Sequence, residues 1–188
     1  MSIFSAAVDQ LSSLFGRRDH KFESLVVLLP GPRDLFAHHL WQALEELFPA
    51  AFTGRHDTDD PHASFVTAGM DSEPPYLVKS LAEGHSGLFL IHLAGQPYID
   101  PDEFRGDDFN DEIKSGVATH KAWFSVDRLE SIGSDEDVSR FIRVLCAKLA
   151  PHDALCVLDP GKKGIAEFSD DVRTCLAAGA DIFGGTPS

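Results

Sequence analysis

The stretch SLVVLLP, from Ser24 to Pro30, decides the fold. It is a short apolar run, partly β-branched and ended by a Pro-Gly-Pro sequence, which is typical of a strand buried on both faces. Residues 32–48 then place apolar side chains at helical spacing, with a proline near the first turn. The pattern therefore predicts a strand followed directly by a helix.

Further elements follow along the chain. Residues 76–81 fit either a strand or a helix. Helices are predicted at 134–149, where Ser134 is a candidate N-cap, and at 165–178. Strands are predicted at 63–67, 87–94, 118–126 and 154–158.

This order of elements predicts an α+β fold. The expected arrangement is a ferredoxin-like β-α-β-β-α-β core, with a largely antiparallel sheet, extra strands and flanking helices. The alternative is a doubly wound α/β fold with a parallel sheet. That alternative is disfavoured because the segment DPDEFRGDDFNDE, residues 100–112, is predicted to be an acidic loop where a parallel sheet needs a crossover helix.

Two parts of the chain are distinguished by their patterning. Residues 1–18 carry apolar side chains at helical spacing and predict an N-terminal amphipathic helix, which Gly16 and the polar residues after it separate from the first strand. Residues 19–188 are expected to form a single α+β domain with the acidic insertion at 100–112. We expect this domain to fold without residues 1–18.

Composition excludes several function classes. The chain has 16 Lys and Arg against 30 Asp and Glu, a formal net charge of −14, which argues against binding to nucleic acid or to an anionic membrane. No run approaches the ~18 apolar residues of a transmembrane helix. Cys146, Cys156 and Cys175 are odd in number and lie in apolar contexts, which indicates free thiols and a cytoplasmic location.

No metal or cofactor is expected from the motifs. The segment HDTDDPH, residues 56–62, contains two imidazoles and three carboxylates, but its spacing matches no known metal site and its residue types are those of a turn. Residues 100–112 cannot form a calcium loop, because Arg105 takes the position that requires glycine. Residues 159–164 lack the spacing of a phosphate-binding loop.

His92, His120 and Trp123 are the candidate functional residues. Each histidine interrupts a predicted apolar strand face, as a hydrogen-bonded histidine of the core or its edge would. If the two strands pair, however, both imidazoles enter one pocket that is suited to proton transfer or to ligand binding. Trp123 is predicted on the face opposite His120, where it marks a second, interaction surface.

Three segments carry a family resemblance: SLVVLLPGPRDL near the start, GLFLIHLAGQPYID in the middle, and ATHKAWFSVD followed by a helix and ALCVLDP. In these segments the chain resembles an uncharacterised bacterial family known only as a domain of unknown function. The resemblance implies an α+β domain and brings no activity and no catalytic residue.

The absence of a coherent catalytic constellation favours a non-catalytic cytoplasmic domain that acts through protein–protein contacts with an unidentified partner. An immunity or chaperone-like protein, whose acidic surface neutralises a basic partner, would also act through such protein–protein contacts. The alternative is a small-molecule-binding domain or an enzyme with a pocket near His92 and His120. A deep pocket at these histidines would favour the alternative, and a broad apolar patch would favour protein contacts.

The predicted strands also suggest self-association. Residues 25–29, 88–93 and 154–158 are apolar on both faces. A sheet covered by helices on one side only would leave the second apolar set, together with Trp123, in water. Because burial of each such side chain contributes about 1.5–3 kcal/mol, the face should be covered by the N-terminal helix, by the last helix or by a second copy of the chain, and a homodimer is the preferred alternative.

Overall fold

The computed structural model describes residues 23–34, 37–47, 65–68, 76–80, 86–102, 104, 108–132 and 134–184. The predicted N-terminal helix at 1–18 and the histidine and aspartate segment at 56–62 lie outside the described residues, so both expectations stay predictions.

Seven strands and four helices make up the described part of the chain. The strands are β1 (Ser24–Leu29), β2 (Phe65–Ala68), β3 (Tyr76–Ser80), β4 (Ser86–Ala94), β5 (Ala122–Ile132), β6 (Cys156–Asp159) and β7 (Gly164–Glu167). The helices are α1 (Ala37–Leu47), α2 (Asp111–Thr119), α3 (Asp135–Leu149) and α4 (Asp170–Ala177).

The strands form one sheet in the order β2-β3-β4-β5-β1-β6-β7. Every pair of neighbouring strands in it is antiparallel. The protein is therefore an α+β protein with an antiparallel sheet. The alternative of a doubly wound parallel sheet is wrong for the described strands.

One face of the sheet, the inner face, packs against helices. The strands contribute alternate residues to this core, and α1, α3 and α4 contribute their apolar stripes. Buried members include Leu25, Val27 and Leu29 of β1, Leu40 and Leu44 of α1, Phe141 and Leu145 of α3, and Leu176 of α4. The expected helix at 134–149 is confirmed, with Ser134 as its N-cap accepting from the Asp137 backbone N–H at 3.2 Å.

The opposite, outer face is covered in part by α2 and by the chain that leads into it. The buried cluster on this side consists of Val26, Leu28, Ile99, Ile113, Val117, Cys156 and Leu158. Helix α2 and the chain before it, which the sequence did not predict as a cover, thus lie over β1 and β6. A homodimer is therefore not needed to cover those two strands, although self-association itself stays a prediction.

Helix α2 corrects the prediction for the acidic segment. Residues 111 and 112 belong to the first turn of α2, and Asn110 caps it by accepting from the Ile113 backbone N–H at 2.9 Å. The predicted strand at 118–126 is also displaced, because β5 begins at Ala122 and runs to Ile132. Ala118 and His120, which the strand pattern placed on one face, belong instead to the end of α2 and to its C-cap.

The last predicted helix is likewise divided. Residues 164–167 form β7, which pairs with β6, and α4 begins only at Asp170 after the N-cap Ser169. Phe168 lies between the two elements and is buried in the inner core. Among the described helices, none has the length and apolar character needed to cross a membrane.

The close approach of α2 to the sheet gives a testable consequence at Gly116. A Cβ atom at this position would lie 2.5 Å from Cys156 Sγ, which is itself buried in β6. Alanine normally stabilises a helix relative to glycine, but overpacking costs about 1–3 kcal/mol. We therefore expect Gly116→Ala to lower the free energy of unfolding measured in urea.

A double-mutant cycle isolates the cause. Removing the sulfur with Cys156→Ala should restore part of the stability of Gly116→Ala, so that the two effects are not additive. Gly31→Ala is the control, since a Cβ atom there meets nothing within 4 Å. Strict additivity of the two changes would contradict the proposed close packing.

Candidate functional site

The candidate site lies on the outer face of β4 and β5. The strand register sets His92 of β4 opposite Ser125 of β5. On the other side of β5, it sets Ser24 of β1 opposite Asp127. Because side chains alternate along a strand, Trp123, Ser125 and Asp127 all project from the same face. The sheet thus gathers aromatic, imidazole, hydroxyl and carboxyl groups on one surface.

Three rings form a row on this surface, here called the aromatic row: His92, Trp123 and Tyr98. The ring centroids of His92 and Trp123 are 4.8 Å apart with an interplanar angle of 79°. Those of Trp123 and Tyr98 are 5.0 Å apart at 69°. Both are edge-to-face contacts, the arrangement that the quadrupoles of aromatic rings favour. All three side chains are partly exposed.

His120 does not lie in a strand, contrary to the prediction, but at the C-cap of α2. Its ring is buried, and its Nδ1 atom lies 2.6 Å from the carbonyl oxygen of Val117. Its Nε2 atom accepts hydrogen bonds from the backbone N–H groups of Tyr98, at 3.0 Å, and Ile99, at 3.3 Å. These contacts assign the proton to Nδ1, so the neutral ring ties the chain after β4 to the end of α2.

The two candidate histidines are connected through the aromatic row. His92 contacts Trp123, Trp123 contacts Tyr98, and the Tyr98 backbone donates to His120. The expectation that Trp123 lies on a different surface from His120 is therefore wrong. Burial lowers the pKa of both imidazoles, and for His120 the hydrogen bond to Val117 opposes part of that effect.

Asp127 is a buried carboxyl group that sequence reasoning missed. Its two oxygens accept hydrogen bonds from Ser24 Oγ and, at 2.7 Å, from Ser125 Oγ. Burial raises its pKa to about 6, and the two serine hydrogen bonds oppose the shift. Burial, followed by the charge of Asp127, raises the pKa of Tyr98 to about 12. The sequence signal for Asp127 is the Ser-x-Asp spacing of Ser125 and Asp127, which puts two polar side chains on one strand face.

These groups do not form an activated nucleophile. The Ser125 hydroxyl donates to Asp127, whereas a hydrolytic triad needs the serine to donate to an imidazole. Within the described part of the chain, no hydrogen bond joins His92 to Ser125 or to Asp127. What the arrangement offers is a partly exposed aromatic surface beside a buried, protonatable carboxyl group.

Three cavities are bounded by described residues, with volumes of about 300, 420 and 170 Å³. His92 and His120 line none of these three, and Trp123 borders the smallest. Among the described residues there is also no group of three or more His, Cys, Asp or Glu side chains placed to hold a metal ion. The expected pocket shared by His92 and His120 is thus not among these cavities.

Comparison with known proteins finds no matching family model, no matching curated protein and no matching solved structure. The function must therefore be argued from the residues of this chain.

The raised pKa of Asp127 predicts a pH-dependent stability. Above about pH 4 the unfolded chain has released this proton, whereas the folded protein retains it up to about pH 6. The stabilisation is therefore complete below about pH 4 and is lost as the pH rises through about 6. Relative to Asp127→Asn, which does not titrate, the wild type should lose about 2 kcal/mol between pH 4 and pH 7 in urea unfolding.

A second variant tests the assignment to this carboxyl group. Ser125→Ala removes a hydrogen bond that favours the charged form, so it should move the Asp127 titration to higher pH. Carbon-13 NMR of the carboxyl group reads the titration directly. A midpoint near the ordinary aspartate pKa in the wild type would show that Asp127 is accessible to water.

His120 is expected to be essential for the order of the chain after β4. His120→Ala leaves the backbone N–H groups of Tyr98 and Ile99 without their acceptor and opens a cavity, which should cost about 2–4 kcal/mol. Gln, whose side-chain oxygen can accept, should recover part of this loss. Nitrogen-15 NMR should find the proton on Nδ1, and a proton on Nε2 in the neutral ring would contradict the hydrogen bonds described.

Proposed function

We propose that this protein is a non-catalytic, cytoplasmic binding domain whose aromatic row docks an arginine-containing, basic segment of a partner protein. The observation that carries the proposal is the partly exposed row of His92, Trp123 and Tyr98, which exposed aspartates follow closely along the chain.

The aromatic row has the chemistry of an interface centre. Trp and Tyr are enriched among the residues that dominate binding energy, because they combine a large apolar area with a polar group. Trp123 packs in part against the outer cluster, so its ring is held in place before a partner arrives. A preorganised ring reduces the entropy lost on binding.

Charge supports a basic partner. Asp100 and Asp102 follow Tyr98 within four residues, and both are exposed. With a net charge of −14 the whole chain attracts a cationic partner over distance. Arginine suits such a surface particularly, since its guanidinium group stacks on aromatic faces and pairs with carboxylates.

The fold assignment is part of the proposal. We propose that β1, α1, β4, β5, α3 and β6 form a ferredoxin-like core, to which β2, β3, β7, α2 and α4 are additions. The sheet order β4-β5-β1-β6, with all pairs antiparallel and α3 between β5 and β6, supports this assignment. In this arrangement the inner face carries the two core helices, and the outer face is the one that binds.

The cytoplasmic location is supported by the cysteines. Cys146, Cys156 and Cys175 are all free thiols, the first two buried and the third exposed. Free thiols persist where the compartment is reducing. Burial raises the pKa of Cys156 to about 12, so this thiol is inert as a nucleophile.

A defined peptide tests the docking proposal. We expect a peptide of alternating arginine and glycine to bind the full chain in a salt-dependent, saturable manner, and the same peptide with glutamine for arginine to bind much more weakly. Trp123→Ala should weaken binding about tenfold, because the cation–π contact and the buried ring area are lost. Fluorescence anisotropy of a labelled peptide measures the affinity.

Matched charge variants provide the control. Asp100→Asn with Asp102→Asn should weaken binding several-fold, whereas Asp170→Asn with Asp171→Asn, which removes two exposed carboxylates from α4, should have little effect. Neither pair of substitutions replaces a core residue, so a change in affinity is not expected to arise from loss of folding. Equal affinities of the wild type and Trp123→Ala would reject the aromatic row as the docking surface.

A further inference from the structure

A separate cavity of about 300 Å³ lies at the end of the sheet between α1 and α3. We call it the end cleft. Its apolar lining comes from five elements: Leu29 of β1, Ala43 of α1, Leu93 of β4, Phe124 of β5 and Leu149 of α3. Leu29 is the last residue of its strand, and Leu93 pairs with Phe124 in the sheet. The apolar part of the cleft is thus built on the rigid part of the fold.

Polar side chains line the same cleft. Glu46 of α1 is fully engaged, because Gln42 donates to its Oε1 atom at 2.9 Å and Lys148 of α3 donates to its Oε2 atom. The hydrogen bond from Lys148 lowers the pKa of Glu46, with that from Gln42 as the next cause. Each carboxylate oxygen of Glu46 therefore already accepts one hydrogen bond from the protein.

Hydrogen-bond donors are left in excess at the cleft. Lys148 has three N–H donors and Arg33 has five. The hydrogen bonds between described residues use one N–H of each, to Glu46 and to Asp153 respectively. Both side chains are about half exposed, at 39% for Lys148 and 48% for Arg33. Asp34 and Glu46 also line the cleft, so its two cationic side chains face two carboxylates, and a bound anion would share the remaining N–H donors of Lys148 and Arg33 with Glu46 and Asp153.

We propose that the end cleft binds a small amphipathic carboxylate, with its hydrocarbon part on Leu29, Leu93, Phe124 and Leu149 and its carboxylate accepting from Lys148 and Arg33. A volume of 300 Å³ corresponds to about ten water molecules at about 30 Å³ each, so the ligand has about ten non-hydrogen atoms. This site differs from the aromatic row in residues and in ligand, and it goes beyond the proposed function.

Trp123 provides a fluorescence signal for ligand binding in the end cleft. The smallest cavity, of about 170 Å³, shares Leu29, Arg33 and Leu93 with the end cleft and is bordered on its other side by Trp123. Occupation of the cleft should therefore change the fluorescence of Trp123. Because Trp41 adjoins the lining residues Gln42 and Ala43, Trp123→Phe should remove only the part of the fluorescence change that Trp123 contributes.

Octanoate and octanamide form the test pair, since each has ten non-hydrogen atoms and they differ in charge. Titration calorimetry on the full chain should give saturable one-to-one binding of octanoate and at least tenfold weaker binding of octanamide. Lys148→Gln should weaken the binding of octanoate about tenfold. Lys162→Gln is the matched control, because Lys162 is 41% exposed and is also paired with carboxylates, but lies in the turn between β6 and β7.

Each contrary outcome would overturn the proposal. Equal binding of octanoate and octanamide would indicate apolar association without recognition of the charge. Equal effects of Lys148→Gln and Lys162→Gln would indicate attraction to any surface cation, and no saturable heat would show that the cleft takes no such ligand. Thermal melting of both lysine variants verifies that they fold. Peptide binding at the aromatic row can fail or succeed independently of these results.

Discussion

The burial of β1 on both of its faces is the constraint on which the architecture depends. Each of the residues 25–29 is at most 5% exposed. A strand that is apolar on both sides needs a layer against each, because one such side chain left in water costs about 1.5–3 kcal/mol. Helices α1 and α3 supply the inner layer, and α2 with the chain before it supplies the outer one. Within the sheet, β1 pairs with β5 on one side and with β6 on the other.

The extent of the outer layer decides where a binding surface can form. Helix α2 contacts β6 and β7, and the aromatic row lies on the other side of β1, on β4 and β5. His120 marks the boundary, because it ends α2 and also holds the backbone at Tyr98. Helix α2, which covers the apolar half of the outer face, therefore also positions the aromatic row through the imidazole of His120.

Much of the fold could be predicted, because strong local signals coincide with tertiary structure. The sequence of β1 is apolar at every position, and α3 has a capping serine, three acidic residues in its first turn and a full apolar stripe. Helix α2 was missed because its buried contacts come from Ile113, Val117 and a glycine, too few to form a recognisable stripe. Strand β7 was missed because its four residues merge with the following helix.

The candidate site was predictable only in part, for a physical reason. His92 and Trp123 are conspicuous in sequence, but their contact depends on the β4–β5 register, which shifts between Leu88 and Phe89. Asp127 gains its raised pKa from burial, and a hydrogen bond that opposes the shift comes from Ser24, which is 103 residues away in the chain. No local pattern encodes such a separation. Surfaces assembled from several strands therefore emerge only when the pairing is known.

The shortness of the outermost strands has a consequence for how the protein behaves in a crowded solution. β2 and β7, at the two ends of the described sheet, have four residues each. In an antiparallel ladder alternate residues direct their N–H and C=O groups outward, so each edge offers about two residues for pairing with another chain. At β7 the side chain of Phe183 also packs against Gly164. Such short edges give an incoming strand few hydrogen bonds, so the described sheet offers little template for the growth of a fibre.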